Sequence, residues 1–229
     1  MNRSRWTPPC FIILVGFFLI FGCQEISLGT TVTFTAVADN CVWEPFPDTS
    51  WGTWNQMIVS SDRARGLVKF DLSSIPSGSI ITSVELRLTL YAPLQGGRVT
   101  LYRTTSSWNE SSTWNTKPSF YTTPIGTING GNTEYGQWIW KSSDFSSLKT
   151  TVQNWVNGTS TNDGFCLITP DSDGRVFATR EHATSTYRPK LWVEYFAPAL
   201  RVTSPNGGEV WARGETHNIT WDTGGLGGQ

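Results

Sequence analysis

Short runs of alternating apolar and polar residues constrain this chain more than any other feature. From Val84 to Tyr91, apolar side chains at every second position alternate with charged and hydroxyl-bearing ones. Because successive side chains of a strand point to opposite faces, this pattern predicts an antiparallel strand with one buried face. The pattern resumes at Val99 after Gly96-Gly97, which predicts a hairpin over residues 84–104.

Runs of the same kind recur along the chain and are separated by Gly, Pro, Asn and Asp. The other predicted strands are 31–38, 66–72, 137–140, 164–169, 174–179 and 190–196. Helix formers are scarce, whereas Ser, Thr, Val and Trp are abundant, which favours strands. Eight or more short strands with frequent turns predict an all-β fold, a jelly-roll-like β-sandwich over residues 30–196.

One segment departs from the period of two. Between residues 145 and 156, the apolar residues are spaced by three and four positions, so they share one face of a helix. Ser143 or Asp144 is placed to cap its start, and Asn157-Gly158 to end it. The sequence predicts a single three-turn helix that lies across one opening of the sandwich.

Residues 1–23 have the pattern of an export signal. Arg3 and Arg5 precede an apolar run over 11–21, which is shorter than the about 20 residues of a membrane span. A secretory signal and an extracellular or cell-surface location are therefore predicted. The ending Gly22-Cys23 resembles a bacterial lipoprotein box, which predicts lipidation of Cys23 as the only membrane attachment. The alternative is ordinary cleavage nearby, with Cys23 incidental.

The chain has four cysteines, of which Cys41 and Cys166 lie outside the predicted signal. Export exposes a protein to an oxidising compartment, which predicts a disulfide between these two residues. The alternative is a pair of buried free thiols.

The sequence changes character after Phe196. Ala197-Pro198-Ala199 is a short stiff linker over residues 197–199, and residues 200–229 contain two strand-like pieces around Asn206-Gly207-Gly208. About 30 residues are too few to bury an independent core. We therefore expect the start of a second β domain, cut short, with neighbouring domains in a longer chain.

Composition and motifs exclude several function classes. A net charge of −1 lacks the basic excess that nucleic-acid binding needs. Two histidines and four cysteines argue against a zinc centre built from them. The chain has no GxSxG, HExxH or phosphate-binding loop, and His182 and His217 lack the partners of a nucleophilic triad. Intrinsic catalysis is therefore not expected.

An ordered set of segments resembles a known family, the DNRLRE domain or carbohydrate-binding module family 96. The segments are Ala38-Asp39-Asn40, Thr49-Ser50-Trp51-Gly52, RGLVKFDLSSIPSGSIITSVELRL (65–88), Trp108-Asn109-Glu110 with Thr113-Trp114-Asn115, residues 177–181 and RPKLWVEY (188–195). The resemblance implies a secreted, non-catalytic module of surface or polysaccharide-degrading proteins. Some members bind anionic polysaccharide such as alginate. The tail over 204–221 is similar to the start of an Ig-like repeat of microbial surface proteins.

Aromatic and basic residues are the expected ligand contacts. Aromatic rings pack against the apolar faces of sugars, and arginine binds the carboxylate of a uronate in bidentate fashion. The candidate ligand-binding residues are Trp51, Trp54, Arg65, Lys69, Trp138, Trp140 and Arg180.

Each of these candidates has a structural alternative. Trp51 can simply pack its loop, Arg180 can pair with Glu181 to fix strand register, and a groove formed by Arg65, Lys69 and Arg180 can be merely solvated. Four further tryptophans are expected in the sandwich core, namely Trp108, Trp114, Trp155 and Trp192.

A structural calcium ion is a further possibility, because jelly-roll binding modules often hold one with loop carboxylates and carbonyls. Asp39 and Asp71 lie at predicted strand ends and match acidic positions of the family, so they are the expected metal ligands. The segment 171–174 only superficially resembles a calcium loop and is better explained as a hairpin turn.

The leading hypothesis is an exported, surface-attached β-sandwich that binds polysaccharide without cleaving it. Anionic, alginate-like polymers are among the expected ligands. The alternative is a structural or adhesive spacer of a multidomain surface protein with no affinity for glycans.

Overall fold

In the computed structural model the described residues are 13–15, 18–20, 29–92, 97–130, 136–172, 174–198 and 201–222. The first seven strands are β1 (Ile13–Val15), β2 (Phe18–Ile20), β3 (Thr30–Trp43), β4 (Gln56–Val59), β5 (Ala64–Phe70), β6 (Ile80–Ala92) and β7 (Arg98–Arg103). The other seven are β8 (Gly126–Asn129), β9 (Gly136–Lys141), β10 (Phe165–Ile168), β11 (Arg175–Ala178), β12 (Lys190–Phe196), β13 (Arg201–Ser204) and β14 (Thr220–Asp222). The helices are α1 (Ser146–Val156) and a 3₁₀ turn (Ser185–Tyr187).

Ten strands form one hydrogen-bonded sheet in the order β4-β11-β6-β12-β3-β5-β10-β7-β8, with β9 beside β6. The 14-residue strand β3 belongs to both halves of this sheet, since Thr30–Thr35 pair with β12 and Ala36–Trp43 pair with β5. The register shifts between Ala36 and Ala38, as at a β-bulge, which bends and twists a strand. The first layer contains β4, β6, β9, β11 and β12, and the second contains β5, β7, β8 and β10.

The two layers enclose a main core. Val84, Leu86 and Leu88 from the first layer and Leu101 and Phe165 from the second are all completely or almost completely buried in it. This confirms the prediction of an all-β sandwich and the predicted buried face of the strand over 84–91.

The hairpin predicted over residues 84–104 is wrong. Strand β6 pairs with β9, β11 and β12, whereas β7 pairs with β8 and β10. The chain therefore crosses from the first layer to the second between these strands. The alternation identifies both strands but does not say which partner each one takes.

The predicted helix is confirmed as α1, with Leu148, Val152 and Trp155 buried on one face. The side chain of Gln153 fixes the helix to the start of β6, because its Oε1 accepts the backbone N–H of Ile81 at 2.8 Å and its Nε2 donates to Ser79 O at 2.9 Å. The predicted cap is wrong, since residue 145 occupies the N-cap position and no side-chain cap hydrogen bond forms.

A second core lies on the outer face of the second layer. It contains Val42, Leu67, Trp108, Cys166 and Ile168, and the half-buried Trp114 and Phe120 pack against it. Strand parity explains it, because the alternate residues of β5 and β10 point into the main core.

The predicted disulfide is wrong, because Cys41 and Cys166 are free, buried thiols. Cys41 lies opposite Gly66 on one side of β5, and Cys166 lies opposite Leu67 on the other side. Strands that flank a third strand are about 9.5 Å apart, whereas a disulfide needs a Cα separation of about 4.4–6.8 Å. The side chains also point into different cores.

The terminal segments lie outside the sandwich sheet. Strands β1 and β2 pair with each other, and β13 pairs with β14. Cys23 falls outside the described residues, so the signal and lipidation over 1–23 stay predictions, as does the Ig-like start over 200–229. Among the residues described, no helix is long and apolar enough to cross a membrane.

The two thiols provide a test of this arrangement. Burial raises the pKa of both Cys41 and Cys166 to about 12, so neither forms the reactive thiolate in the folded protein. We expect peptide mass spectrometry to find both residues unlabelled by iodoacetamide in the native protein. Denaturant alone, without reductant, should make both fully reactive. If labelling needs a reductant as well, the two residues form a disulfide.

Candidate functional site

An open groove runs over the outer face of the second layer, beside the second core. Val99 and Leu101 of β7 point into the main core, so Arg98, Thr100 and Tyr102 point outward. The groove has a volume of about 590 Å³. Its lining residues are Asp62, Arg98, Thr100, Tyr102, Phe120, Thr127, Asn129, Ile168 and Pro170.

The floor of the groove combines hydroxyl, amide and apolar groups. The hydroxyls of Thr100 and Thr127 lie 2.9 Å apart across the β7–β8 pair. Asn129, at the end of β8, is exposed. The buried side chain of Ile168 forms the apolar part of the floor. Such a floor offers both hydrogen-bonding groups and an apolar surface to a ligand.

One wall of the groove comes from the loop over residues 104–121. Its anchor is Trp108, which is buried and donates its indole N–H to Asp163 O at 2.6 Å. The loop ends at Phe120, which forms a bridge with Thr104 and packs its ring 4.9 Å from that of Tyr102. The loop covers part of the outer face, and the uncovered part is the groove.

Arg65, one of the predicted ligand residues, adjoins this wall. Its guanidinium carbon lies 5.3 Å from the ring centroid of Phe120 and 5.1 Å from that of Trp114. Its Nη2 and Nε donate to Asp62 Oδ1 at 2.9 and 3.2 Å. Arg65 therefore holds Phe120 and Asp62 in place. It supports two residues that line the groove and does not line the groove itself.

Asp62 lies in a tight turn with an unusual backbone. Ser61 and Asp62 have φ angles of 49° and 56°, in the left-handed region that non-glycine residues seldom adopt. Their backbone N–H groups donate to Asp171 O at 2.8 Å and to Thr169 O at 2.6 Å. These two hydrogen bonds fix the turn against the segment that follows β10.

Arg98 stands at the other side of the groove and is exposed. Its backbone N–H donates to Asp171 Oδ2 at 2.7 Å, but its guanidinium makes no hydrogen bond or ion pair with any other described residue. Within the described part of the sandwich, only Arg98 and Arg103 have unpaired guanidinium groups of this kind. Sequence reasoning missed Arg98, Tyr102 and Phe120, although the polar face of the strand over 98–104 was a usable signal for the first two.

Trp51 and Trp54 lie elsewhere, in a cluster of four aromatic residues with Trp43 and Phe46. Ring centroids in this cluster are 5.0–6.0 Å apart and the rings are tilted against one another. Trp51 packs on the main core, and its indole nitrogen is buried. The structure thus favours the loop-packing alternative for Trp51, whereas Trp54 stays half-exposed.

The loop over residues 44–55, between β3 and β4, is called the Trp-rich loop and packs tightly against the groove wall. Ser50 Oγ donates to Glu110 O, and a Cβ at Gly52 would overlap the backbone of Glu110. The Trp-rich loop is therefore a support for the loop over 104–121.

The prediction that Trp138 and Trp140 contact ligand is wrong. They share a strand face as expected, but β9 pairs with β6 so that this face joins Leu88 and Leu86 in the main core. Trp140 is 0% exposed, which leaves no ring face for a ligand, and Trp138 is only 8% exposed.

The four tryptophans predicted for the core differ in their burial. Trp108 and Trp155 are buried as predicted, and Trp114 is half-buried. Trp192 is 36% exposed, so its placement in the core is wrong. It points outward between Leu191 and Val193, and the guanidinium of Arg87 lies 3.8 Å from its ring centroid.

Arg180 is held in an ion cluster, away from the groove. It donates to Glu110 Oε1 at 2.8 Å, and its Nε lies 3.1 Å from Glu181 Oε1. Lys69 shares the outer face of β5 with Arg65, as predicted, but Arg180 is occupied by carboxylates. The cationic groove expected from Arg65, Lys69 and Arg180 is therefore not formed, and the alternative of an Arg180–Glu181 pair is the one observed.

Asp39 lies at the centre of this ion cluster and is completely buried. Its Oδ2 accepts the backbone N–H of Arg180 at 2.7 Å, whereas its Oδ1 has no partner among the described residues. Burial, reinforced by the nearby carboxylates of Glu181 and Glu110, raises its pKa from 3.8 to about 8.

Asp39 and Asp71 do not come together as metal ligands. Asp39 pairs with Val68 of β5. Asp71 lies three residues after Val68, and three residues of extended chain span about 10 Å. Asp71 is exposed, and its Oδ1 accepts the backbone N–H of Ser73. Within the described ranges, no group of three or more His, Cys, Asp or Glu is arranged to hold a metal ion. Calcium binding stays a prediction, without this ligand pair.

A β-sandwich with an open, aromatic and hydroxyl-lined groove on one sheet face has the architecture of a ligand-binding module. The sequence profile of carbohydrate-binding module family 96 matches residues 30–195, and the chain belongs to this family. The resemblance noted in the sequence is thereby confirmed. Carbohydrate-binding module families are generally non-catalytic. Comparison with curated proteins finds no match.

The buried carboxyl of Asp39 gives a pH-dependent prediction. Between about pH 4 and pH 8, the folded chain holds a proton on the Asp39 carboxyl that the unfolded chain has released. Raising the pH through this range therefore lowers the free energy of unfolding. Asp39→Asn is neutral at every pH and avoids this loss. We expect the Tm of the variant, relative to wild type, to increase from pH 5 to pH 9.

Asp71→Asn is the matched control, since Asp71 is exposed and its hydrogen bonds to Ser73 lower its pKa. The Tm difference of this variant should stay flat above pH 5. Parallel Tm curves for Asp39→Asn and wild type would show that Asp39 keeps its ordinary pKa.

Proposed function

We propose that this chain binds an acidic polysaccharide, without cleaving it, in the groove on the second layer. The observation that carries the proposal is the exposed guanidinium of Arg98, unpaired within the described residues, beside Tyr102, Phe120 and a floor of hydroxyl groups. Membership of a carbohydrate-binding family supports a sugar as the ligand.

The groove residues match the two kinds of surface that a uronate sugar presents. Tyr102 and Phe120 provide aromatic surface for the apolar face of a pyranose ring, and Thr100, Thr127 and Asn129 provide partners for its hydroxyls. Arg98 has the planar, bidentate donor geometry that suits a carboxylate. A neutral sugar would offer this guanidinium only hydroxyl acceptors and no charged, bidentate partner.

The same groove lacks the groups that glycoside hydrolysis needs. Hydrolysis uses two carboxyl groups across the scissile bond. Asp62 is the one carboxylate among the groove residues described, and it is hydrogen-bonded to Arg65. This supports binding without cleavage.

Export and surface attachment complete the proposal, supported by the signal pattern over residues 1–23 and its lipoprotein-like ending. If Cys23 is lipidated, Cys23→Ser should move the protein from the membrane fraction to the soluble secreted fraction. Cys10→Ser, inside the predicted signal, is the control and should leave fractionation unchanged. A Cys23→Ser variant that stays in the membrane fraction would rule out lipidation at this residue.

The groove is tested by calorimetric titration with oligomannuronate, oligogalacturonate and neutral cello-oligosaccharide. We expect saturable binding of an acidic oligosaccharide, weakened about tenfold or more by Arg98→Ala, since a hydrogen bond to a charged group contributes about 1.5–3 kcal/mol. Tyr102→Ala should weaken binding as well. Arg63→Ala is the matched control, because Arg63 is exposed and paired with Glu44 outside the groove.

Trp54→Ala distinguishes the groove from the Trp-rich loop, and it should leave affinity unchanged. If no oligosaccharide binds saturably, the spacer function is the correct one. Equal affinity for the neutral oligosaccharide would refute the acidic preference, and new reducing ends or unsaturated uronates would refute binding without cleavage.

A further inference from the structure

A second cavity lies at the end of the sandwich, between the segment over 121–125 and helix α1. Its volume is about 300 Å³, at the lower limit for small-molecule sites. The residues that matter for its chemistry are Arg103, Tyr121, Ser147, Thr151 and Asn154. No Asp or Glu occurs among its described lining residues.

Arg103 is the second of the two unpaired arginines of the described sandwich. It is half-buried at the end of β7, and its guanidinium carbon lies 5.2 Å from the ring centroid of Tyr121. Its side chain makes no hydrogen bond or ion pair with another described residue. A half-buried guanidinium has lost part of its hydration, so an anion in this cavity would gain more from it than from an exposed one.

Backbone pairing places Tyr121 beside Arg103. The N–H of Tyr121 donates to Arg103 O at 2.8 Å, directly after the bridge between Thr104 and Phe120. Phe120 lines the groove, whereas Tyr121 lines the end cavity. Tyr121 is 52% exposed, so its ring is available to a ligand.

The opposite wall is a polar face of α1. Ser147, Thr151 and Asn154 recur at intervals of four and three, so they share one face of the helix. Their side chains make no hydrogen bonds to other described residues. They can therefore donate to and accept from the hydroxyls of a sugar.

We infer that this end cavity is a second carbohydrate site, which binds one acidic sugar residue through Arg103 and Tyr121. Arg98 and Arg103 are five residues apart on β7, about 17 Å along the strand, so one sugar residue cannot contact both. The second site has the same ligand class as the proposed groove but shares none of its lining residues.

The test is a titration of the full chain with trimannuronate and trigalacturonate, in which binding is measured by calorimetry and by amide NMR shifts. The expected result is two sites per chain. Arg103→Ala should remove one site and leave the other at its original affinity. Tyr121→Ala should have the same effect if the ring of Tyr121 contacts the sugar, and Tyr121→Phe should have it if the hydroxyl does. Arg98→Ala should remove the other site, and the double variant Arg98→Ala/Arg103→Ala should remove both.

Lys149→Ala is the matched control, because Lys149 is an exposed cation of α1 outside the cavity. It should keep both sites. Unchanged thermal unfolding of each variant shows that loss of a site is not loss of fold. In the wild type, ligand should also shift the amide signals of Tyr121 and residues 150–154, independently of any substitution.

The outcomes separate the two sites. A single site that Arg98→Ala abolishes and Arg103→Ala leaves intact overturns the end-cavity inference and keeps the proposed groove. A single site that only Arg103→Ala abolishes supports the end cavity and overturns the groove. Absence of saturable binding to either acidic probe overturns this inference.

Discussion

The groove depends on how one loop is anchored. Trp108 donates its indole N–H to Asp163 O. Asn40 of β3 donates through Nδ2 to the carbonyl oxygens of Asn109, Glu110 and Ser112 at 2.8–3.3 Å. These contacts hold the loop over 104–121 on the outer face of the second layer. Without them the second core would be open to water, and Phe120 would have no fixed position beside Tyr102.

Arginine pairing divides this domain into structural and ligand-accessible charges. Arg63, Arg65, Arg87 and Arg180 each pair with a carboxylate. These pairs leave the four guanidinium groups little donor capacity for a ligand. Arg175 and Arg188 donate to the backbone carbonyls of Gly97 and His182. Within the described part of the sandwich, the unpaired guanidinium groups are those of Arg98 and Arg103, which lie on one strand. Each faces a cavity that also contains an aromatic ring, so an unpaired charge and an aromatic surface coincide twice.

Periodicity predicted eight of the ten strands of the sandwich sheet, the helix and much of the core, but it missed β4 and β8 and could not say what lies opposite each strand. A period of two defines two faces, and only the pairing of β9 with β6 decides that the face of Trp138 and Trp140 is the inner one. The same ambiguity placed Trp192 in the core. The groove was out of reach because its residues come from β7, β8 and a loop that meet only in the folded chain.

Strand β3 opens the sandwich and β12 closes it, and their outer ends meet, with Thr30 opposite Tyr195. Residues opposite each other in an antiparallel pair have Cα atoms about 4.5–5.5 Å apart. A longer chain passing through this domain would therefore enter and leave at nearly the same point. The domain would hang beside the chain as a side branch and add almost nothing to its length. Tension between the two connections would open the β3–β12 ladder one residue pair at a time, so the first hydrogen bonds would bear the load alone.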